Sequence, residues 1–291
     1  MRKLLLLSLV TVMSLFSTLS VAGDLGKVRE QGVLRHLGVP YANFVTGQGD
    51  GMSVELIQLF AASLGVDYEY VATDWSSAIS DLVGRQITQI AGKAQVGDPV
   101  PVRGDLIANG LTVLPWRAQV LDYSLPTFPT QVWLVTRASS PLQPIRPLSE
   151  TEDIAATRAL LSRQQLLGKQ NTCLDPALYP FADDNFESVY FSGNLNDMFP
   201  AVMQGDADMT LLDVPDTLVA LTRWPGQVKV LGPLSEKQNM AVGFRQDSPK
   251  LREAFNRFYR EIRQNGEYTR LVQKYYPDVF DYYPAFFQSP I

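Results

Sequence analysis

Hydrophobic and polar positions switch repeatedly between two spacings along this chain, and each switch predicts a new element. Gly32-Val33-Leu34-Arg35-His36-Leu37-Gly38-Val39 predicts a first strand. Val54, Ile57, Phe60, Ala61 and Leu64 then recur at helical spacing, with Gly65 as the stop signal. Val66 to Val71 predicts a second strand, Trp75 to Val83 a helix, and Asp105 to Ala108 a third strand. Strand, helix, strand, helix, strand implies a parallel α/β layer.

The same alternation returns further on. Val132 to Val135 predicts a strand, followed by a Pro-rich polar stretch from Pro141 to Pro147. A helix is expected over Ile154 to Leu167, a strand over Ser188 to Phe191, a helix over Asn194 to Gln204 and a strand over Ala207 to Leu212. Pro200 is in tension with the helix around it. Val228 to Leu231 predicts a short strand and Ala241 to Phe244 a return strand. Ser248-Pro249 reads as an N-cap followed by a first-turn proline. Leu251, Phe255, Phe258, Tyr259 and Ile262 give the long helix behind it an apolar face, which Gly266 closes. A last helix is expected near Tyr268 to Tyr275, and the aromatic tail beyond it is expected to pack on a domain surface.

The first residues bear on compartment. Arg2 and Lys3 precede an apolar run from Leu4 to Leu19, and Ser20-Val21-Ala22 follows. That is the layout of a cleavable signal peptide over residues 1–22. The run is shorter than the ~20 residues a membrane span prefers. No cysteine lies near the cleavage site, so a periplasmic form without a lipid anchor is expected. The rest is long enough for two domains.

Composition excludes some chemistry. The formal net charge is −5, and no basic cluster with interleaved aromatics suggests nucleic acid. One cysteine, Cys173, and one histidine, His36, cannot supply a His/Cys metal site or an internal disulfide. Cys173 reads as a buried inert thiol and His36 as a structural residue. No cofactor, metal or catalytic residue is expected, and no Ser/His/Asp or Cys/His set is visible. Gly47-Gln48-Gly49-Asp50-Gly51 lacks the full G-x-G-x-x-G spacing and carries Asp50, so it reads as a turn rather than a phosphate cradle.

The most informative stretch runs from Gly110 to Pro126. An apolar strand enters it, a second follows near Val120 to Tyr123, and Thr112 and Arg117 lie between. Pro115 fits the first turn of a helix. Arg117 and the free N–H groups of a helix start would then face one anion, and a guanidinium fork matches a carboxylate bidentately. Taken alone, Arg117 also reads as a solvated helix residue or a partner of Asp122.

This stretch resembles the pattern Ser-Leu-Thr-Ile-Thr-x-x-Arg-x-x-x-Val-Asp-Phe-Ser-x-Pro of the bacterial family 3 extracellular solute-binding proteins, which bind polar amino acids. Other segments match that family in order. KVREQGVLRHLGV is similar to its opening, and GMSVELIQLFAASLGVDYEYV to its first helix and second strand. FPAVMQGDADMTLLDVPDTLVAL and SPKLREAFNRFYREIRQNGEYTRLVQKYYP resemble later segments. The chain ends soon after the last match, so no transglycosylase or kinase segment is expected. About twenty residues between Arg85 and Asp105 have no counterpart in the usual pattern. Leu114 stands where the family has threonine, Gly110 where several members have serine, and Asn171-Thr172-Cys173 where a Gly-Thr-Thr/Ser loop is usual.

The resemblance implies a type II periplasmic binding protein-like α/β fold, with two lobes joined by a two-crossing hinge around a ligand cleft. Lobe 1 would be 23–129 plus 240–291 and lobe 2 would be 130–239, with crossings near Phe128-Thr130 and Asn239-Met240. It implies that Arg117, helped by Thr112 and backbone near Gly110, holds a ligand carboxylate. Tyr41 and Trp75 would lie against the ligand's body, Asp213 would receive an ammonium, and Thr172 would add a carboxylate contact. Tyr41 and Trp75 also read as core or rim aromatics, and Asp213 as the N-cap of a helix from Pro215. The expected function is capture of a small polar solute, an amino acid, for the membrane permease of an ABC transporter. A sensory or accessory subunit contacting a membrane receptor is the alternative, motivated by the insertion and the aromatic tail. A cyclohexadienyl dehydratase-like enzyme with Asp213 as proton donor ranks third, and the chain is expected not to be an enzyme.

Overall fold

The computed structural model describes residues 24–47, 49–145, 149–179, 181 and 185–289. The expected signal peptide (1–22) lies outside the described residues, as do Gln48 of the glycine loop and residues 146–148 of the Pro-rich stretch.

The described residues open with α1 (Leu25–Gln31), β1 (Val33–Gly38), α2 (Met52–Leu64), β2 (Asp67–Ala72) and α3 (Ala78–Val83). Then come β3 (Arg85–Ile90), β4 (Lys93–Pro99), β5 (Leu106–Thr112), β6 (Leu121–Tyr123) and β7 (Phe128–Thr130). A second region holds β8 (Val132–Arg137), α4 (Glu150–Ala159), β9 (Gln165–Gly168), β10 (Glu187–Tyr190), α5 (Met198–Gln204), β11 (Met209–Asp213), α6 (Val214–Arg223) and β12 (Val228–Pro233). The chain returns through β13 (Gln238–Arg245) to α7 (Pro249–Gln264), α8 (Glu267–Tyr275), α9 (Val279–Tyr282) and α10 (Pro284–Gln288).

Two sheets result. The first has the order β2-β1-β5-β13-β6, with β7 also on β13; the second has the order β10-β9-β11-β8-β12. As the alternating elements predict, β1 runs parallel to β2 and β5, while β13 returns antiparallel. β1 is buried along almost its whole length because helices cover the layer. His36 is structural: its ring nitrogens meet the Tyr68 hydroxyl and the Ala108 carbonyl, and burial lowers its pKa to about 4. The aromatic face of α7 meets α2, where Phe255 packs edge-on against Phe60 at 5.2 Å between centroids.

The chain passes between the sheets twice, from β7 to β8 and from β12 to β13. The crossings lie side by side, since Thr130 pairs with Gln238 and Pro129 with Asn239. This is the type II periplasmic binding protein architecture, two α/β lobes on a two-crossing hinge with a cleft between them. The aromatic tail packs over the crossings. The Tyr283 hydroxyl reaches Gln131 Oε1, Tyr282 sits against Trp133, and Phe287 sits against Phe128.

Several boundaries differ from the periodic reading. The helix expected over 154–167 is α4 and stops at Ala159; Arg163 takes a left-handed φ of 61°, and Leu166-Leu167 belong to β9. Two buried leucines look alike in a helix or a fully buried strand. The helix expected over 194–204 starts as a 3-10 turn, which puts Pro200 in the first turn of α5, where an amide has no helical partner to lose. The cap of α7 is shared differently from expectation: Asp24, far back in sequence, accepts the Leu251 N–H, and Ser248 makes no side-chain cap. The unmatched insertion forms the β3–β4 hairpin, closed by Ala91 and Gly92 at positive φ, which suits the twist of a two-residue hairpin turn.

One buried ion pair fixes where β5 starts. Asp105 accepts from the Arg35 backbone N–H and from its Nε and Nη2, at 2.8 to 3.2 Å, and its side chain is wholly buried. Asp105→Ala leaves the guanidinium in the interior without this carboxylate. It is expected to destabilise the fold by about 3–5 kcal/mol, read as a lowered urea midpoint with an unchanged m-value.

Candidate functional site

The stretch from Gly110 onward reaches the sheet junction through a close approach. Gly110 holds φ +68°, and a Cβ there would lie 2.5 Å from the Phe44 ring. A side chain is excluded on both counts. Phe44 stacks on Tyr41, and Tyr41 meets Trp75 edge-on at 5.7 Å. Gly110 is thus what lets these aromatics close over the end of β5.

Arg117 opens a 3-10 turn, Arg117–Gln119, rather than an α-helix. The Arg117 and Ala118 N–H groups both donate to the Leu114 carbonyl at 3.1 Å. The free N–H groups expected of a helix start are therefore already bonded at these two positions. The short span between β5 and β6 leaves room for only one tight turn.

The Arg117 side chain is 2% exposed. Its Nη1 donates to the Thr112 carbonyl at 3.0 Å, and Nη2 crosses to the second lobe and donates to the Asn171 carbonyl at 3.1 Å. Nε has no partner. Trp116 and Trp75 flank the guanidinium at 5.2 and 5.9 Å from their ring centroids, within cation–π range. Asp122 is not its partner; that carboxylate faces Arg252 at 3.3 Å. Arg117 joins no ion pair among the described residues.

Asp213 ends β11 and stands at the start of α6, where a helix cap is expected of it. It caps the helix by accepting the Asp216 N–H at 3.4 Å. The same oxygen, Oδ1, accepts the Tyr41 hydroxyl from the first lobe. Its other oxygen, Oδ2, faces the Cys173 thiol at 3.6 Å. That thiol also meets the Thr112 hydroxyl. A single buried cluster therefore joins Arg117, Thr112, Tyr41, Trp75, Cys173 and Asp213.

Thr172 stands apart. Its hydroxyl donates to the Lys169 carbonyl at 2.8 Å and accepts the Leu174 N–H at 3.0 Å, so it shapes its own loop. Three further residues bear on the site. Cys173 is buried and protonated, as its reading as an inert thiol expects, and its place beside the anion-loop segment brings it into the cluster. Asn171, at φ +62°, offers the carbonyl that Arg117 reaches. Asn109 is fully buried, and neither of its side-chain amide atoms has a partner.

Burial dominates the electrostatics. It raises Asp213 from the ordinary carboxyl range to about 6, against the hydrogen bonds from Tyr41 and Asp216 that favour the ionised form. Burial and the neighbouring Asp213 hold Asp216 well above that range too. The Cys173 thiol is pushed up by burial and by Asp213, which keeps it protonated. A carboxyl raised on folding holds a proton that the unfolded chain releases. Its stabilising effect is complete below the unfolded value near 4 and disappears as pH rises through the folded value. Thermal melts should therefore show stability falling from pH 4 to pH 7, and Asp213→Asn should flatten that slope.

The comparisons with known proteins agree with this architecture. The model of the bacterial extracellular solute-binding proteins, family 3, matches residues 102–278. A curated relative is the membrane-bound lytic murein transglycosylase F of Desulfosudis oleivorans, 25% identical over 237 residues. That match takes in 80% of this chain but 46% of the relative, so the chain spans about half its length. The arginine-binding extracellular protein ArtP of Bacillus subtilis is 24% identical over 81% of this chain and 82% of its own. Among solved structures, holo ArgBP from T. maritima superposes with a TM-score of 0.64 at 21% identity, over 86% of this chain and 99% of that one. The expectation of a chain without enzymatic activity is corrected by the first of these: a protein named as a transglycosylase aligns along most of the chain, so kinship does not exclude catalysis. On the match over 102–278, the chain belongs to the bacterial extracellular solute-binding proteins, family 3.

Proposed function

We propose that this chain captures a small polar solute bearing a carboxylate, an amino acid, in the cleft between its lobes. The lobes are 23–129 with 240–291 and 130–239, and they close about Phe128-Thr130 and Asn239-Met240. A signal peptide over 1–22 delivers the chain to the periplasm. The permease of an ABC transporter receives the solute.

One observation carries the reading. Arg117 is a buried guanidinium with an unpartnered Nε and no carboxylate beside it among the described residues. Holding a cation in the interior without a counter-ion costs several kcal/mol. An anionic ligand offsets that cost, and a carboxylate fits the guanidinium fork. Asp213, on the facing lobe and in the same cluster, supplies the opposite sign for an ammonium. Tyr41 and Trp75 wall the space between, Gly110 lets them approach, and Thr112 positions the guanidinium through its carbonyl. Thr172 contributes by holding the Asn171 loop in shape.

A second reading has support in the raised Asp213. A buried carboxylic acid whose pKa is raised to about 6 keeps its proton to higher pH than an ordinary carboxyl and can donate it to a leaving hydroxyl, as a dehydratase requires. The transglycosylase relative keeps an enzymatic role in view, although its activity belongs to a protein of about twice this length.

Calorimetry against the standard amino acids is expected to find one that binds tightly, with Arg117→Ala weakening it by at least ~100-fold. Tight binding of no amino acid sinks the first reading. Turnover of prephenate, lost in Asp213→Asn, would establish the second.

A further inference from the structure

A cavity of about 590 Å³ lies between the lobes, separate from the Arg117 cluster and sharing no lining residue with it. Its walls come from the loop after β1, from α6, and from the end of α8 with the residues that follow. Tyr41 stands between the cluster and the cavity: its hydroxyl is bonded to Asp213 and lies beside Asp216, while the next residues, Ala42 and Asn43, line the cavity. The Ala42 N–H donates to Asn196 Oδ1 across the lobes at 2.7 Å, so closure completes this wall.

The most buried polar residue of the lining is Asp216, at 6% exposure, and its Oδ2 has no hydrogen-bond partner. Arg223 lines the other end of the same helix, where it is exposed. Its guanidinium rests over the Trp224 ring at 5.0 Å and joins no ion pair among the described residues. Asp216 and Arg223 are seven residues apart on α6, which places them on one face with about 10 Å of axial rise between them. Val219 and Ala220 lie between them on that face and also line the cavity. Phe199, Trp224 and Tyr275 add aromatic wall. The face therefore presents a negative group, an apolar strip and a positive group in that order.

We propose that this cavity is a second ligand site for a short, unblocked, extended peptide of about three residues. Its ammonium pairs with Asp216, its carboxylate meets Arg223, and its side chains lie on the apolar strip and the aromatic wall. The spacing selects the class. A free amino acid holds its ammonium nitrogen and carboxyl carbon only about 2.5 Å apart, whereas extended residues add about 3.3–3.6 Å each. Three residues span the interval that one cannot. An ammonium beside Asp216 also relieves a carboxyl otherwise kept neutral by burial and by Asp213. The site draws on both lobes, so peptide binding favours the closed arrangement.

Titration calorimetry of the full mature chain with trialanine, alanine, N-acetyl-trialanine and trialanine amide tests this. Trialanine is expected to bind and alanine not to compete with it. Acetylation or Asp216→Asn should weaken binding about 30-fold, and amidation or Arg223→Ala about fivefold. Arg223 is exposed, so its variant folds regardless of the outcome at Asp216. Arg117→Ala removes one bond between the lobes, so it should lower trialanine affinity by less than Asp216→Asn does, which separates this site from the amino-acid site. Failure of trialanine to bind overturns the proposal. So does trialanine binding that is lost in Arg117→Ala and kept in Arg223→Ala, because the peptide then sits in the Arg117 cluster.

Discussion

A carboxylate buried where the two lobes meet organises much of what surrounds it. Asp213 ends one strand, caps the helix that follows, accepts a hydroxyl from the opposite lobe and faces the thiol of the 171–173 loop. Few positions in a chain can do all four. A residue at a strand-to-helix turn points both its cap and its free oxygen toward the sheet's C-terminal edge, the place where open α/β sheets put ligands. Arg117 occupies the corresponding edge of the first sheet, and its Nη2 reaches back to the second lobe. The two lobes therefore touch through polar groups that have little access to water, and bonds satisfy them except at Arg117 Nε.

That constraint explains the division of labour in the cluster. Tyr41 carries a large apolar ring and one hydroxyl, so it can fill the junction and still satisfy Asp213. Cys173 fills the remaining corner as a small, protonated, weakly polar group. Gly110 contributes by having no side chain, which lets Phe44 and Tyr41 approach β5. The groove beyond Tyr41 uses the same helix differently. Asp213 and Asp216 share one turn of α6 and both lie beside the Tyr41 hydroxyl, but only Asp216 lines the cavity; burial pushes both carboxyls toward the neutral form.

The fold was legible where periodicity was long and well punctuated. α2 ends at Gly65 and α7 presents its aromatic stripe as the spacing of Leu251, Phe255, Phe258 and Ile262 requires. Short apolar runs were ambiguous, and Leu166-Leu167 went to a strand because a parallel partner, β10, was there to receive it. The cap of α7 was hidden because Asp24 reaches it from more than two hundred residues away. The insertion between Arg85 and Asp105 carries no strong period of its own, yet it forms a hairpin tied to the Arg117 turn through Gln119 Oε1 and the Ala94 N–H.

By itself, the sequence determined the α/β class and most of the alternation of strands and helices, and it singled out Arg117 and Asp213 as residues of opposite charge. These follow from local pattern and residue chemistry, which need no knowledge of distant neighbours. Only the tertiary structure decided that Arg117 lies on a bonded 3-10 turn, that Thr172 serves its own loop, that Cys173 stands inside the cluster, and that Asp216 and Arg223 share a groove. Each depends on which groups meet after the chain has crossed between sheets and returned. Burial and hydrogen bonding between residues far apart in sequence are properties of that meeting.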